Sequence, residues 1–122
     1  MLFSIPKKID VSVPSQLERN SNLEDFKKLE NVFKSNKIVK WLFAGDSITH
    51  GCYHTKNYPR FSECFDFCLK QNELRKNDIV YNTGVSGATT RDCMKYKFDW
   101  IERFDFDVCF ICFGMNDCFK NV

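Results

Sequence analysis

Three short segments hold the residues able to do chemistry: "GDSITHG" (Gly45 to Gly51), "NTGVSGATT" (Asn82 to Thr90) and "GMND" (Gly114 to Asp117). A serine hydroxyl in a small, hydroxyl-rich turn such as that around Ser47 has three uses. It can attack a carbonyl, hold a phosphate, or turn the chain and cap the next helix. Asp46 is better suited to tying down the turn through backbone N–H groups than to acting as a base. His50 follows Ser47 by three residues and can share its face of a turn; it reads as pocket wall rather than as the working base, and His54 reads as exposed. A phosphate or nucleotide site is the weaker reading, because neither Gly/Ser loop contains a lysine.

Each segment directly follows a run that reads as a strand. "IVKWLFAG" (38–45) is short, β-branched and aromatic, and closed by glycine; "DIVYN" (78–82) is a second strand. "DVCFICFG" (107–114) is apolar at almost every position, as a parallel strand covered on both faces should be. Between the strands lie helical patterns. Phe61, Cys64, Phe65, Cys68 and Leu69 form an apolar face with Pro59 in a first-turn position, and Thr89 with Asp92 makes a capping box ahead of Met94, Phe98 and Ile101. Upstream, Ser21 and Glu24 form another box opening a helix with Leu23, Phe26 and Phe33, and residues 1–20, with Pro6 and Pro14, read as an arm or linker. Alternation of strand and helix predicts right-handed crossovers and a parallel α/β sheet, whose sites form at the carboxyl ends of strands.

Gly45-Asp46-Ser47-Ile48-Thr49, Asn82-x-Gly84-x-x-Gly87 and Gly114-Met115-Asn116-Asp117 resemble, in order, the first three signature blocks of the SGNH (GDSL-type) hydrolases. The match spans about residues 38–118. One block alone is a weak signal, whereas three in order at strand ends are specific. The resemblance implies a serine ester hydrolase acting on small acyl or O-acetyl esters through an acyl-enzyme, with no cofactor and no metal. It implies Ser47 as nucleophile, with the backbone N–H groups of Ser47 and Gly87 and the Asn116 carboxamide as oxyanion donors. Ester cleavage needs such donors fixed in advance, and a glycine without Cβ allows close approach and positive φ. The implied fold is a flavodoxin-like three-layer αβα arrangement with a parallel sheet. For Ser47 and Asn116 to face one oxygen, the first and third strands must be neighbours, giving the order 2-1-3. Asp117 is expected to orient its loop.

A serine becomes nucleophilic when a base takes its proton, and in this family an Asp-x-x-His block near the C-terminus supplies that base. After Asn116 the chain offers Asp117, Cys118, Phe119, Lys120, Asn121 and Val122. The expectation is therefore a partial SGNH domain over residues 21–122 that lacks the C-terminal part of the fold, with activity dependent on the absent block. The third strand would then present an unpaired edge prone to self-association. The alternative function is an inactive remnant that binds a ligand or protein through the same strand-end surface.

Composition narrows the partners. Eighteen Lys+Arg against sixteen Asp+Glu, scattered without a basic block, argue against nucleic acid. No run approaches the roughly 18 apolar residues of a membrane span. Seven cysteines, an odd number, fall in apolar or motif-like stretches and read as reduced thiols of a cytoplasmic protein. Cys64 and Cys68, like Cys109 and Cys112, read as buried packing and not as metal or redox sites.

Overall fold

The computed structural model describes residues 16–51, 53 and 55–120. The expectations for His54, for Cys52 and for the residues before Gln16 lie outside the described residues. The chain divides into two compact units, Met1–Phe33 and Lys34–Val122. Helix α1 spans Gln16–Lys34, all but its last residue in the first unit. It runs through Ser21 instead of starting there, because Gln16, Leu17, Glu18 and Arg19 are good helix formers. Its Leu23 and Phe26 are exposed. No described helix is long and apolar enough to cross a membrane.

The second unit runs β1 (Lys40–Gly45), α2 (Ser47–His50), α3 (Phe61–Lys70), β2 (Ile79–Asn82), α4 (Thr90–Lys95), a π-type turn (Phe98–Glu102), β3 (Val108–Cys112) and α5 (Met115–Lys120). The strands form a parallel sheet in the order β2-β1-β3, as the sequence predicts. Leu42 sits opposite Tyr81 on one side and Cys109 on the other. Flanked on both sides, β1 is the centre of the core, with Trp41, Leu42 and Ala44 at 0% exposure.

Helices cover both faces of the sheet. Trp41 and Phe43 pack edge-on against Phe65 of α3, with ring centroids 5.2 and 5.3 Å apart, and Phe43 stacks on Phe110 of β3 at 4.7 Å. Tyr81, whose side chain alternates to the other face, meets Phe104 at 5.5 Å. A buried polar cluster ties the strand starts together. The Asp78 carboxylate accepts from Val39 N–H (3.0 Å) and Trp41 Nε1 (2.9 Å), and Arg75 lies 3.6 Å from it.

Four local expectations change. Helix α3 begins at Phe61 after Arg60, so Pro59 precedes its first turn. Its buried line is Ser62 and Leu69 with Phe65 half-buried, while Cys64 and Cys68, one residue and hence about 100° round the helix, are exposed. Thr89 and Asp92 do cap α4 reciprocally. That helix then ends at Tyr96, so no single face joins Met94, Phe98 and Ile101; Met94 and Phe98 are exposed. Finally, β3 is an edge strand hydrogen-bonded on one side among the described residues. Its Ile111 is 62% and its Phe110 37% exposed, in place of the expected burial on both faces.

Candidate active site

At the end of β1, Gly45 leads into Asp46, a buried N-cap whose Oδ1 accepts from Ile48 N–H at 2.9 Å. This is the turn-holding role expected of it. Ser47 is the first residue of α2 and half-buried; among the described residues nothing hydrogen-bonds to its Oγ. The single turn closes at Gly51, whose φ of 67° is left-handed and whose N–H donates to Ser47 O.

The second segment is laid across this turn. Val85 N–H donates to Gly45 O at 2.8 Å, and Asn82 Nδ2 donates to Thr49 O at 2.7 Å and to Ser62 Oγ at 2.8 Å. Asn82 Oδ1 accepts from Gly84 N–H at 3.0 Å. Gly84 has no room for a side chain, since a Cβ there would lie 2.3 Å from His50 N. His50 Nδ1 and Ser86 Oγ are 2.9 Å apart, and Gly87 takes the positive φ (79°) anticipated for it.

The third segment joins the other two. Asp46 N–H donates to Cys112 O at 3.2 Å. Asn116 Nδ2 donates to Ala88 O at 2.9 Å, one residue beyond Gly87. The Asp117 carboxylate accepts from Thr90 N–H at 3.0 and 3.2 Å and from the Thr90 hydroxyl, which holds its pKa below the ordinary carboxylate range. Asp117 thus orients its loop against the start of α4.

The turn of Ser47, the loop of Gly87 and the helix of Asn116 therefore meet at the carboxyl ends of the strands. An open, apolar groove of about 600 Å³ adjoins them, lined by Asp46, Ile48, Cys112, Phe113, Met115 and Phe119 among others. Both chain neighbours of Ser47 line it, though Ser47 itself does not. Burial pushes the thiols of Cys93 and Cys109 up in pKa, whereas Cys112 is exposed, so the C-x-x-C pair is split between environments. Among the described residues no group of three metal-ligating side chains forms.

Sequence reasoning gave no role to Asn82 or Ser86. The signal for Asn82 is its place directly after an apolar strand, where a carboxamide can satisfy loop amides and carbonyls. Ser86 carries no local signal, because its partner lies 36 residues away.

Known proteins give the same picture. The chain is similar to LAE5, an α/β hydrolase from the metagenome of Lake Arreo, with a TM-score of 0.57 and 18% identity over 70% of this chain and 44% of that one. It is similar to AlinE4, an SGNH-hydrolase family esterase, with a TM-score of 0.54 and 22% identity over 70% of this chain and 45% of that one. Axe2, an acetylxylan esterase from Geobacillus stearothermophilus, is 27% identical over 68% of this chain and 42% of its own, with a TM-score of 0.51. An uncharacterised Mycoplasma pneumoniae protein is 30% identical over 71 residues, which are 58% of this chain and 8% of that protein. The chain thus spans less than half the length of each of these relatives. The GDSL-like lipase/acylhydrolase pattern itself runs from residue 43 to 122, taking in all three segments that meet at the strand ends, and the chain belongs to that family.

Proposed function

We propose that the protein is an ester hydrolase in which Ser47 attacks the acyl carbon. The N–H groups of Ser47 and Gly87 and the Asn116 carboxamide cup the oxyanion. The observation that carries this reading is the Asn116–Ala88 hydrogen bond at 2.9 Å. It draws the carboxamide to within one residue of Gly87, while the Val85–Gly45 bond at 2.8 Å draws the same loop to the Ser47 turn. An amide nitrogen has two hydrogens, so Asn116 can hold Ala88 with one and donate to substrate with the other. Small acyl and O-acetyl esters are the proposed substrates, their acyl half lying toward the apolar groove. A cytoplasmic setting suits the free thiols of the six described cysteines.

The base for Ser47 is assigned to a histidine outside the described residues, since His50 is engaged with Ser86. The test compares hydrolysis of an O-acetylated sugar, an ester without an activated leaving group, by the 122-residue chain and by a form extended through an Asp-x-x-His block. The extended form is expected to be the active one, to lose about 10⁴-fold or more in Ser47→Ala, and to lose about 10²- to 10³-fold in turnover in Asn116→Ala. Equal rates in both forms, or survival of activity without Ser47, overturn the reading. That no described residue hydrogen-bonds to Ser47 Oγ favours a second reading, an inactive remnant that binds an ester. Binding of an acetylated sugar without turnover even in the extended form would select it.

A further inference from the structure

We propose that Ser86 and His50 form a second nucleophile–base pair, distinct from Ser47, which accepts an acyl group from an activated ester onto Ser86 Oγ. The pair has the geometry that serine nucleophiles require: His50 Nδ1 lies 2.9 Å from Ser86 Oγ, inside hydrogen-bond reach of a base. Ser86 is exposed, so an ester can approach it, whereas His50 is half-buried.

Both members sit on fixed backbone. His50 N–H donates to the O of Asp46, the N-cap of α2, at 2.9 Å, and its ring lies nearly perpendicular to that of Tyr53 with centroids 6.4 Å apart. The Ser86 turn is held on either side by Val85 N–H on Gly45 O (2.8 Å) and Ala88 N–H on Val85 O (3.1 Å). Because Asn82 and the close Gly84–His50 contact already pin this loop to α2, the side-chain bond is not needed to hold it there. Nor does Ser86 cap a helix, since Thr89 is the N-cap of α4.

With its proton on Nε2, the His50 ring accepts the Ser86 hydroxyl hydrogen at Nδ1. As the Oγ–acyl bond forms, that proton passes to Nδ1. The bond from acyl carbon to leaving oxygen breaks, and the leaving group departs with the electron pair. The imidazolium then returns its proton to the leaving group or to water. A water molecule next attacks the acyl-Ser86, giving its proton to Nδ1, which passes it to Oγ as the serine is released. Among the described residues no carboxylate bonds the His50 ring, so none of them completes a triad around the imidazolium. The pair is therefore limited to acyl donors with good leaving groups, of which aryl esters are the class proposed.

The experiment exposes the 122-residue protein to p-nitrophenyl acetate at mildly alkaline pH, then locates the acetyl group by peptide mass spectrometry. Wild-type protein is expected to carry it on Ser86. His50→Asn can keep a hydrogen bond to Ser86 but cannot take its proton, and should label Ser86 about 10²-fold more slowly or worse. Its melting temperature should stay near that of the wild type. Acetyl on Ser47 or lysines alone, no adduct at all, or wild-type labelling of Ser86 in His50→Asn each overturn the proposal. The wild-type map is decisive even if the variant fails to fold, and none of these results depends on the assignment of Ser47 in an extended form.

Discussion

Thr49, two residues after Ser47, is the residue at which the first turn is least satisfied. It is 1% exposed, and its hydroxyl is buried with no hydrogen-bond partner among the described residues. The same oxygen lies so close to Gly45 that a Cβ on that glycine would approach within 2.0 Å, so Gly45 and Thr49 are packed as a pair. A buried hydroxyl that makes no bond retains its desolvation penalty, about 1–3 kcal/mol, without compensation. Thr49→Val keeps the branched shape and removes that penalty. The expected outcome is a gain of about 1 kcal/mol, read as a melting temperature several degrees higher. A fall in melting temperature would show that the hydroxyl has a partner in solution.

Between elements, polar links do what apolar packing cannot: they set which strand ends and loops come together. Arg75 and Asp78, with side chains at 0% and 1% exposure, join the segment before β2 to the start of β1. Arg75 also donates to Lys37 O at 2.8 Å. Removing the carboxylate with Asp78→Ala takes a negative charge from 3.6 Å beside the buried Arg75 guanidinium and takes the acceptor from Val39 N–H and Trp41 Nε1. The expected loss is about 3–5 kcal/mol, measurable by urea unfolding, and a loss below about 1 kcal/mol would contradict the role.

Asp117 is a milder link, from α5 to the start of α4. Its carboxyl is held low by Thr90, so its contribution to stability is present above the ordinary carboxylate value of about 3.9 and disappears as pH falls through the lowered folded value. Asp117→Asn should therefore be less stable than wild type at neutral pH, with the gap closing toward strong acid in melting curves. A gap that stays constant with pH would show that Asp117 acts without its charge.

For the whole molecule, the exposed apolar residues of β3 and α5 are the outstanding feature: Ile111 at 62%, Met115 at 57% and Phe119 at 82% exposure beside a strand edge. Such an edge is a template for pairing with another chain. In isolation the 122 residues are expected to self-associate, with sedimentation showing a mass that rises with concentration. Ile111→Lys should shift that equilibrium toward monomer. A clean wild-type monomer across the micromolar range would remove the expectation.

The three chemical segments, their strands and the order β2-β1-β3 could all be read along the chain. Short, continuous apolar runs rich in β-branched and aromatic residues specify strands such as Lys40–Gly45 locally, and the demand that Ser47 and Asn116 share one edge leaves few topologies. Cap chemistry was legible at Thr89 and Asp92 but not at Ser21 and Glu24, where good helix formers upstream carry α1 through the box. What the tertiary structure alone decided are the contacts between residues far apart in the chain: His50 with Ser86, Asn116 with Ala88, and Arg75 with the carbonyl of Lys37. It also decided which apolar residues are covered. Cys64 and Ile111 have the composition of a core, but burial depends on what packs against a face, and periodicity reports only the face itself.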